Sequence, residues 1–281
     1  MAVTNFIPTI WAAQLLQATK TTHVGAGICN RDYEGEIRDS GDTVKITSIS
    51  DPTVVNYTGA DLTFQDLTDA TRSLLIDQAK AVAFNLDDVD AAQAVNGGAL
   101  ISEAVDRSAY KLADTLDGYV LDLMATDATT QNAQLDITTA AKAYEALVDW
   151  GTQLTELDVP FAGRWAVVTP AFYGMLLKDD RFVASGAPAA DGRLVNGMVG
   201  QAAGLTIRVS NNLPDGALST GATVKTVLVG STAATTLAEQ IVKSEATRAE
   251  KSFKDLVKFL HVYGAKVVRP DFIVSSDVYV A

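Results

Sequence analysis

The stretch Ala99-Leu-Ile-Ser-Glu-Ala-Val-Asp-Arg-Ser-Ala-Tyr-Lys-Leu-Ala-Asp-Thr-Leu-Asp-Gly-Tyr-Val-Leu-Asp-Leu-Met-Ala125 governs how the rest of the chain is read. Ile101, Val105, Ala109, Leu112, Leu116, Tyr119, Val120 and Leu123 recur every three or four positions, as on one face of an amphipathic helix. At 1.5 Å per residue such a helix is on the order of 40 Å long. A compact chain of this size has a radius of gyration of roughly 19 Å, so a single helix crosses nearly the whole molecule. The spacing therefore predicts a flat or elongated body.

Toward the N-terminus the helix is preceded by an acidic turn, Asp87, Asp88 and Asp90, and by Gly97-Gly98. Before that turn the period changes to two. Lys80, Val82, Phe84 and Leu86 fall on one side of the chain, as do Leu74 and Ile76. In Thr43 to Ile49, Val44 and Ile46 alternate with Thr43, Lys45 and Thr47, while Pro52, Asn56 and Gly59 mark a polar turn region. Residues 33 to 86 thus read as a long two-stranded excursion entering a sheet. An isolated two-stranded ribbon is marginally stable, so it needs a surface to lie on, and another subunit can supply one. After Pro8, the apolar Ile10, Trp11, Leu15 and Ala18 recur at helical spacing in an N-terminal arm.

From residue 137 a mixed α/β unit is expected. A helix carries Ala140, Tyr144, Leu147 and Val148 on one face, and Trp165 to Val168 form a short strand. Thr169-Pro170 has the chemistry of a helix N-cap and first-turn pair. Gly186, Pro188, Gly192, Gly197, Gly200 and Gly204 predict a mobile loop over 183–204, followed by strands at Leu205 to Ser210 and Val224 to Val229. Val257 to Val268, closed by Pro270, reads as a strand pair.

Composition bounds the function. The 281 residues are 48% hydrophobic and 20% charged, ordinary for a folded protein. With 34 acidic against 22 basic side chains the net charge is −12, which removes the electrostatic footprint of a dedicated nucleic-acid binder. Any DNA contact is expected to be local and weak. Cys29 is the single cysteine, so there is no intramolecular disulfide and no cysteine-based zinc site, and an intracellular site of synthesis fits. Residues 1–19 are uncharged but interrupted by Asn5, Pro8 and Gln14, and neither an export signal nor a membrane span is expected.

The catalytic inventory is thin. His23 and His261 are the only histidines and lie in different patterns, so structural or surface roles are expected for both. Neither a nucleophile elbow nor a phosphate-binding loop occurs, and Gly25-Ala26-Gly27 has Asn30 where a dinucleotide loop needs its third glycine. The aspartates at 87, 88 and 90 lack the glycine and glutamate of a calcium loop and read as a turn. Glu34 and Glu36 suit ion pairing, and Arg248, Glu250 and Lys251 suit a solvated face. No catalytic residue, cofactor or metal site is expected, and the chain is not expected to be an enzyme.

Three groups of motifs then point to a family. They are Asn30-Arg-Asp-Tyr-Glu-Gly-Glu-Ile37 with Gly41-Asp-Thr-Val-Lys-Ile46; Asp77-Gln-Ala-Lys-Ala-Val-Ala-Phe84 with Asp87-Asp-Val-Asp-Ala-Ala-Gln93; and Arg248 to Phe253 with Tyr263-Gly-Ala-Lys-Val-Val-Arg-Pro270. In order and spacing they resemble the major capsid (coat) proteins of tailed double-stranded DNA phages, which have the Hong Kong 97 fold. The resemblance implies an α+β chain with an N-terminal arm at 1–32 and an extended β-hairpin loop at 33–78. It also implies a peripheral domain at 79–136 and 251–281 with spine helix 99–125, and a mixed axial domain at 137–250.

The function so implied is self-assembly into an icosahedral virion shell around a DNA genome, after synthesis in the bacterial host cytoplasm. An encapsulin nanocompartment shell around protein cargo is the alternative, with an enzyme last. Implied partners are further copies in pentamers and hexamers, a portal, and packaged DNA contacted non-specifically, with no membrane. Because the sequence starts at the arm, a separate scaffolding protein is also implied. Lys45 lies in the loop, but the cross-linking motif of one branch of the family finds no match. Trp11, Tyr33, Glu34, Glu36, Lys45 and Tyr57 are expected at inter-subunit contacts.

Overall fold

The computed structural model describes residues 23–32, 43–49, 56, 69–87, 97–179, 200–216, 224–248 and 254–280. The expected arm helix, Asp88 and Asp90, and nearly all of the glycine-rich loop lie outside these residues.

A short helix, α1 (Gly25–Ile28), comes first. Strands β1 (Thr43–Ile49) and β2 (Asp69–Leu75) pair antiparallel as a ribbon, with Thr43 opposite Leu75 and Ile49 opposite Asp69. β1 has the bounds its alternation predicts. β3 (Gln78–Asp87) leads toward α2 (Gly97–Asp127), whose 31 residues make it about 46 Å long. Then follow β4 (Thr130–Ile137), α3 (Ala140–Glu156), β5 (Arg164–Val168) and α4 (Pro170–Leu176). The remaining strands are β6 (Gln201–Ala202), β7 (Leu205–Val209), β8 (Lys225–Ser231), β9 (Thr235–Arg248), β10 (Lys254–Val267) and β11 (Ile273–Val280).

Among the described residues two larger sheets stand beside the ribbon. One is antiparallel with order β3-β10-β9, and the other is mixed with order β4-β11-β8-β5-β7-β6. β11 runs parallel to β4 and antiparallel to β8. β5 is buried along its whole length because both faces of its sheet are covered. Ala166 and Val168 face α3 and α4, packing with Leu147, Trp150, Leu154 and Phe172, whereas Trp165 and Val167 face the cluster that contains α2. Further along α2, Val105, Ala109 and Leu112 pack on Val257 and Phe259, with Val82 and Phe84 beside them. One helix thus serves both large sheets.

Local capping follows the sequence chemistry. Thr169 Oγ1 accepts the Phe172 amide at 3.2 Å with Pro170 in the first turn, and Thr139 caps α3 in the same way through the Lys142 amide. Two expectations need correction. The buried stripe of α3 is Ala143, Ala146, Leu147, Trp150 and Leu154; of the four residues expected there only Leu147 is in the core, and Val148 faces solvent. The stripe follows the three- and four-residue spacing of Ala143, Leu147, Trp150 and Leu154, with Tyr144 partly buried at its edge. Secondly, Val257 to Val268 is no strand pair: all but its last residue belong to the single strand β10, with Gly264 inside the strand where the ribbon crosses closely. β4, β9 and β11 have no counterpart in the sequence reading. Sheet membership also crosses the expected domain limits, since β4 and β11 share a sheet with β5, β7 and β8 while β9 pairs with β10.

Candidate assembly surfaces

The root of the arm is fixed at several points. The α1 residues Ala26 and Ile28, with Cys29, enter the core against Leu116, Val120 and Leu121 of α2. The Gly25 amide donates to the carboxylate of Asp117, which is only 1% exposed and also accepts from Ser210 Oγ and Asn212 Nδ2, each at 3.2 Å. A Cβ on Gly25 would collide with that carboxylate, which is why the helix can come so close. Beyond α1, the Asn30 amide donates to Thr235 O at 2.8 Å and Asn30 O accepts from the Leu237 amide at 2.9 Å. Arg31 then pairs with Glu239, whose carboxylate is buried and also stands 3.4 Å from Nε2 of His261.

Burial would raise the Glu239 carboxyl, but the neighbouring His261 and the Arg31 charge outweigh it and hold the group below the ordinary carboxylate range. The stability gained from this pairing is therefore present above the ordinary glutamate value and is lost only as the pH falls through the lowered one. Burial pushes the Cys29 thiol well up, so it is an inert core group.

The ribbon is supported at its base. Leu74 and Ile76 are fully buried against Ala238 and Val262, while Leu75 between them is 52% exposed. Beyond the base, the far face of the three-stranded sheet carries exposed Ala79, Ala81 and Ala83 on β3. Next to them lies an open groove of about 410 Å³ lined by Ala83, Phe84, Asn85, Thr247, Leu256, Val257 and Lys258. Lys258 is paired there with Glu245 at 2.8 Å.

A further exposed feature is the turn between α3 and β5, where Phe161 is 71% exposed with the Arg164 guanidinium stacked 4.2 Å from its ring centre. Arg164 itself is buried and donates to the carbonyls of Pro160, Gly151 and Val159 and to Thr155 Oγ1. Its cation closes the C-terminal turn of α3, and burial lowers its pKa.

The residues expected at contacts are distributed unevenly. Trp11, Tyr33, Glu34, Glu36 and Tyr57 lie outside the described residues, and Lys45 stands in β1 opposite Ser73. His23 lies 3.9 Å from Asp114 and meets the Tyr110 ring at a tilt, with 5.1 Å between ring centres, far in sequence from His261. Among the described residues no group of three metal-ligating side chains converges. No described helix is long and apolar enough to cross a membrane. Asp117, Arg164 and the Arg31–Glu239 pair stand outside the residues that the sequence singles out. For Asp117 a signal exists: it falls on the same helical face as Ala113, Leu116, Val120 and Met124.

What these surfaces serve is decided by comparison with known proteins. A family model described as phage capsid protein matches residues 71–276. The chain belongs to the phage capsid protein family. The capsid protein is similar over 91% of its length, at 29% identity and a TM-score of 0.72, to a solved structure from Mycobacterium phage Che8, of which 91% is covered. The capsid of cyanophage P-SCSP1u aligns at 20% identity over 87% of this chain and 85% of its own, TM-score 0.65. The capsid of Ralstonia phage GP4 aligns at 15% identity over 90% and 87%, TM-score 0.65, which shows the shared fold. A search of curated proteins found no match. The capsid protein is thus a non-enzymatic structural protein of the virion with the Hong Kong 97 fold, and its copies form the icosahedral shell. The family match is to phage capsids, which decides against the nanocompartment reading.

Proposed function

We propose that the capsid protein closes its shell by laying the loop at 33–78 across one neighbour and the arm at 1–32 along another, in pentamers and hexamers. The observation that carries this reading is the ribbon, which buries Leu74 and Ile76 at its base while β1 and β2 pair only with each other among the described residues. A two-stranded ribbon gains its missing support from a second surface. Trp11 and Tyr57 suit apolar anchoring there, with Tyr33 beside Glu34, Glu36 and Lys45 as the ion-pairing rim. The three-stranded sheet with α2 and the six-stranded sheet with α3 and α4 then tile the surface. A separate scaffolding protein and a portal complete assembly, and the net charge of −12 keeps the contact with packaged DNA non-specific.

The test is to replace Asp39 to Thr71 with a short Gly-Ser linker, leaving Leu74 and Ile76 in place. Circular dichroism should report a folded subunit, and light scattering and electron microscopy should show no shells. Normal shells from this variant would refute the reading; loss of the subunit's own fold would place the segment in the core and refute it equally.

A further inference from the structure

The two anchorages described above meet on one short window of sheet. The arm root holds Thr235, Leu237 and Glu239 of β9, and Glu239 in turn faces His261 of β10. The ribbon base holds Ala238 of β9 and Val262 of β10, and it crosses so close to Gly264 that a Cβ there would meet the Leu75 carbonyl and the Ile76 backbone. Side chains alternate across a strand, so these are opposite faces of the same few residues. The register agrees: Tyr263 pairs with Glu239 and Gly264 with Ala238.

On the α2 face, Tyr263 packs edge-on against Tyr119 at 5.6 Å between ring centres, and the Tyr119 hydroxyl reaches Asp77, just beyond the ribbon base, at 3.4 Å. At the border of the window the ladder is irregular. His261 pairs with Ile241 but Leu260 with Lys243, leaving Val242 as the extra residue of a β-bulge.

We infer that the window Thr235–Gln240 with His261–Gly264 is a two-sided anchor that couples the arm root to the ribbon base within one subunit. The contacts for one element sit on residues adjacent in sequence to those for the other, so a shift of β9 against β10 displaces both. A slip of one residue would turn Glu239 toward the ribbon and Gln240 toward the arm, and the window has no position that keeps one set of contacts and loses the other. The bulge places such a shift at the edge of the window, since a bulge is where pairing is already interrupted. The coupling belongs to the isolated subunit and holds whichever neighbour receives the ribbon.

Hydrogen exchange on the full-length unassembled subunit tests it from both sides. Arg31→Met removes the ion pair on the arm face; Leu74→Ala opens the ribbon face. Each variant should speed exchange on its own face and, by at least about fivefold, on the other: amides 74–78 for Arg31→Met, and those of Asn30 and Leu237 for Leu74→Ala. Leu154→Ala, in the core of the six-stranded sheet, loosens the molecule without touching the window and should leave the two faces within about twofold of wild type. Confinement of each effect to the mutated face would overturn the inference. So would an equal response of both faces to Leu154→Ala, which would mean that general destabilisation explains the result.

Discussion

Replacing Asp117 tests whether the arm root is held by the body of the subunit or merely lies on it. The carboxylate is buried and satisfies three donors: the Gly25 amide, Ser210 Oγ and Asn212 Nδ2. Asn212 keeps a second acceptor in Asp114 Oδ1 at 2.8 Å, so Asp117→Ala strands two donors outright and weakens a third. A buried donor left without a partner costs about 1–3 kcal/mol, which puts the loss at about 3–5 kcal/mol once some water entry is allowed. Asp117→Asn keeps one acceptor oxygen and should cost about half as much. Urea titration of the unassembled subunit reads the stabilities, and exchange of the Gly25 amide reads the arm root directly. The Ala variant should be the less stable of the two, with Gly25 exchanging fastest. If Asp117→Ala lies within about 1 kcal/mol of wild type and Gly25 remains protected, the carboxylate does not anchor the arm.

Further outcomes are expected at other sites. The Tyr263 hydroxyl is buried without a hydrogen-bond partner among the described residues, and burial followed by the charges of Tyr119 and Asp77 pushes its pKa from 10.0 up to about 12. The contribution of its neutral form is complete below the ordinary tyrosine value and is lost as the pH rises toward 12, so Tyr263→Phe should lose less stability than wild type across that range. At neutral pH the same variant should match wild type to within about 1 kcal/mol by urea titration. Gly264→Ala forces a methyl group toward the Leu75 carbonyl and should cost about 1–3 kcal/mol, with faster exchange at the ribbon base. Because each subunit carries −12, light scattering of dissociated subunits should show assembly strengthening from very low to about 0.1 M salt, where the screening length is roughly 10 Å. A steady decline from the lowest salt upward would show that attraction between charged patches dominates.

The parts of the fold legible in the sequence are those with one covered face and an unbroken period. α2 repeats apolar residues on one side, and β1 alternates without interruption. β9 is covered on both sides by unlike partners: Leu237 and Glu239 meet the arm root and α2, while Ala238 meets the ribbon, so neither face is uniformly apolar. The bulge at Val242 then breaks its period. In α3 the run Ala143, Leu147, Trp150 and Leu154, spaced by three or four, sets the buried stripe, with Tyr144 packed at its edge and Val148 in solvent. Arg31 and Glu239 are 208 residues apart, and no local spacing signals their pairing. The inter-subunit contacts proposed for Trp11 and Tyr57 are a different case. Periodicity records only what a chain buries against itself, and contacts made on another copy leave no such trace.

The place of β11 has a consequence for how the protein is made. Among the described residues β4 has one strand neighbour, β11, which is inserted between β4 and β8. On the ribosome, β4 therefore emerges early and has no strand to pair with until Ile273 to Val280 have been synthesised. α2 is equally early, yet the residues it packs on include Tyr263, Ala265, Val267 and Ile273. Both of its hydrophobic clusters stay open during most of translation, and nascent chains crowded on one messenger expose apolar surface side by side. Subunits competent to join a shell appear only after the β11 segment has cleared the exit tunnel, so synthesis itself keeps half-made subunits out of the growing particle.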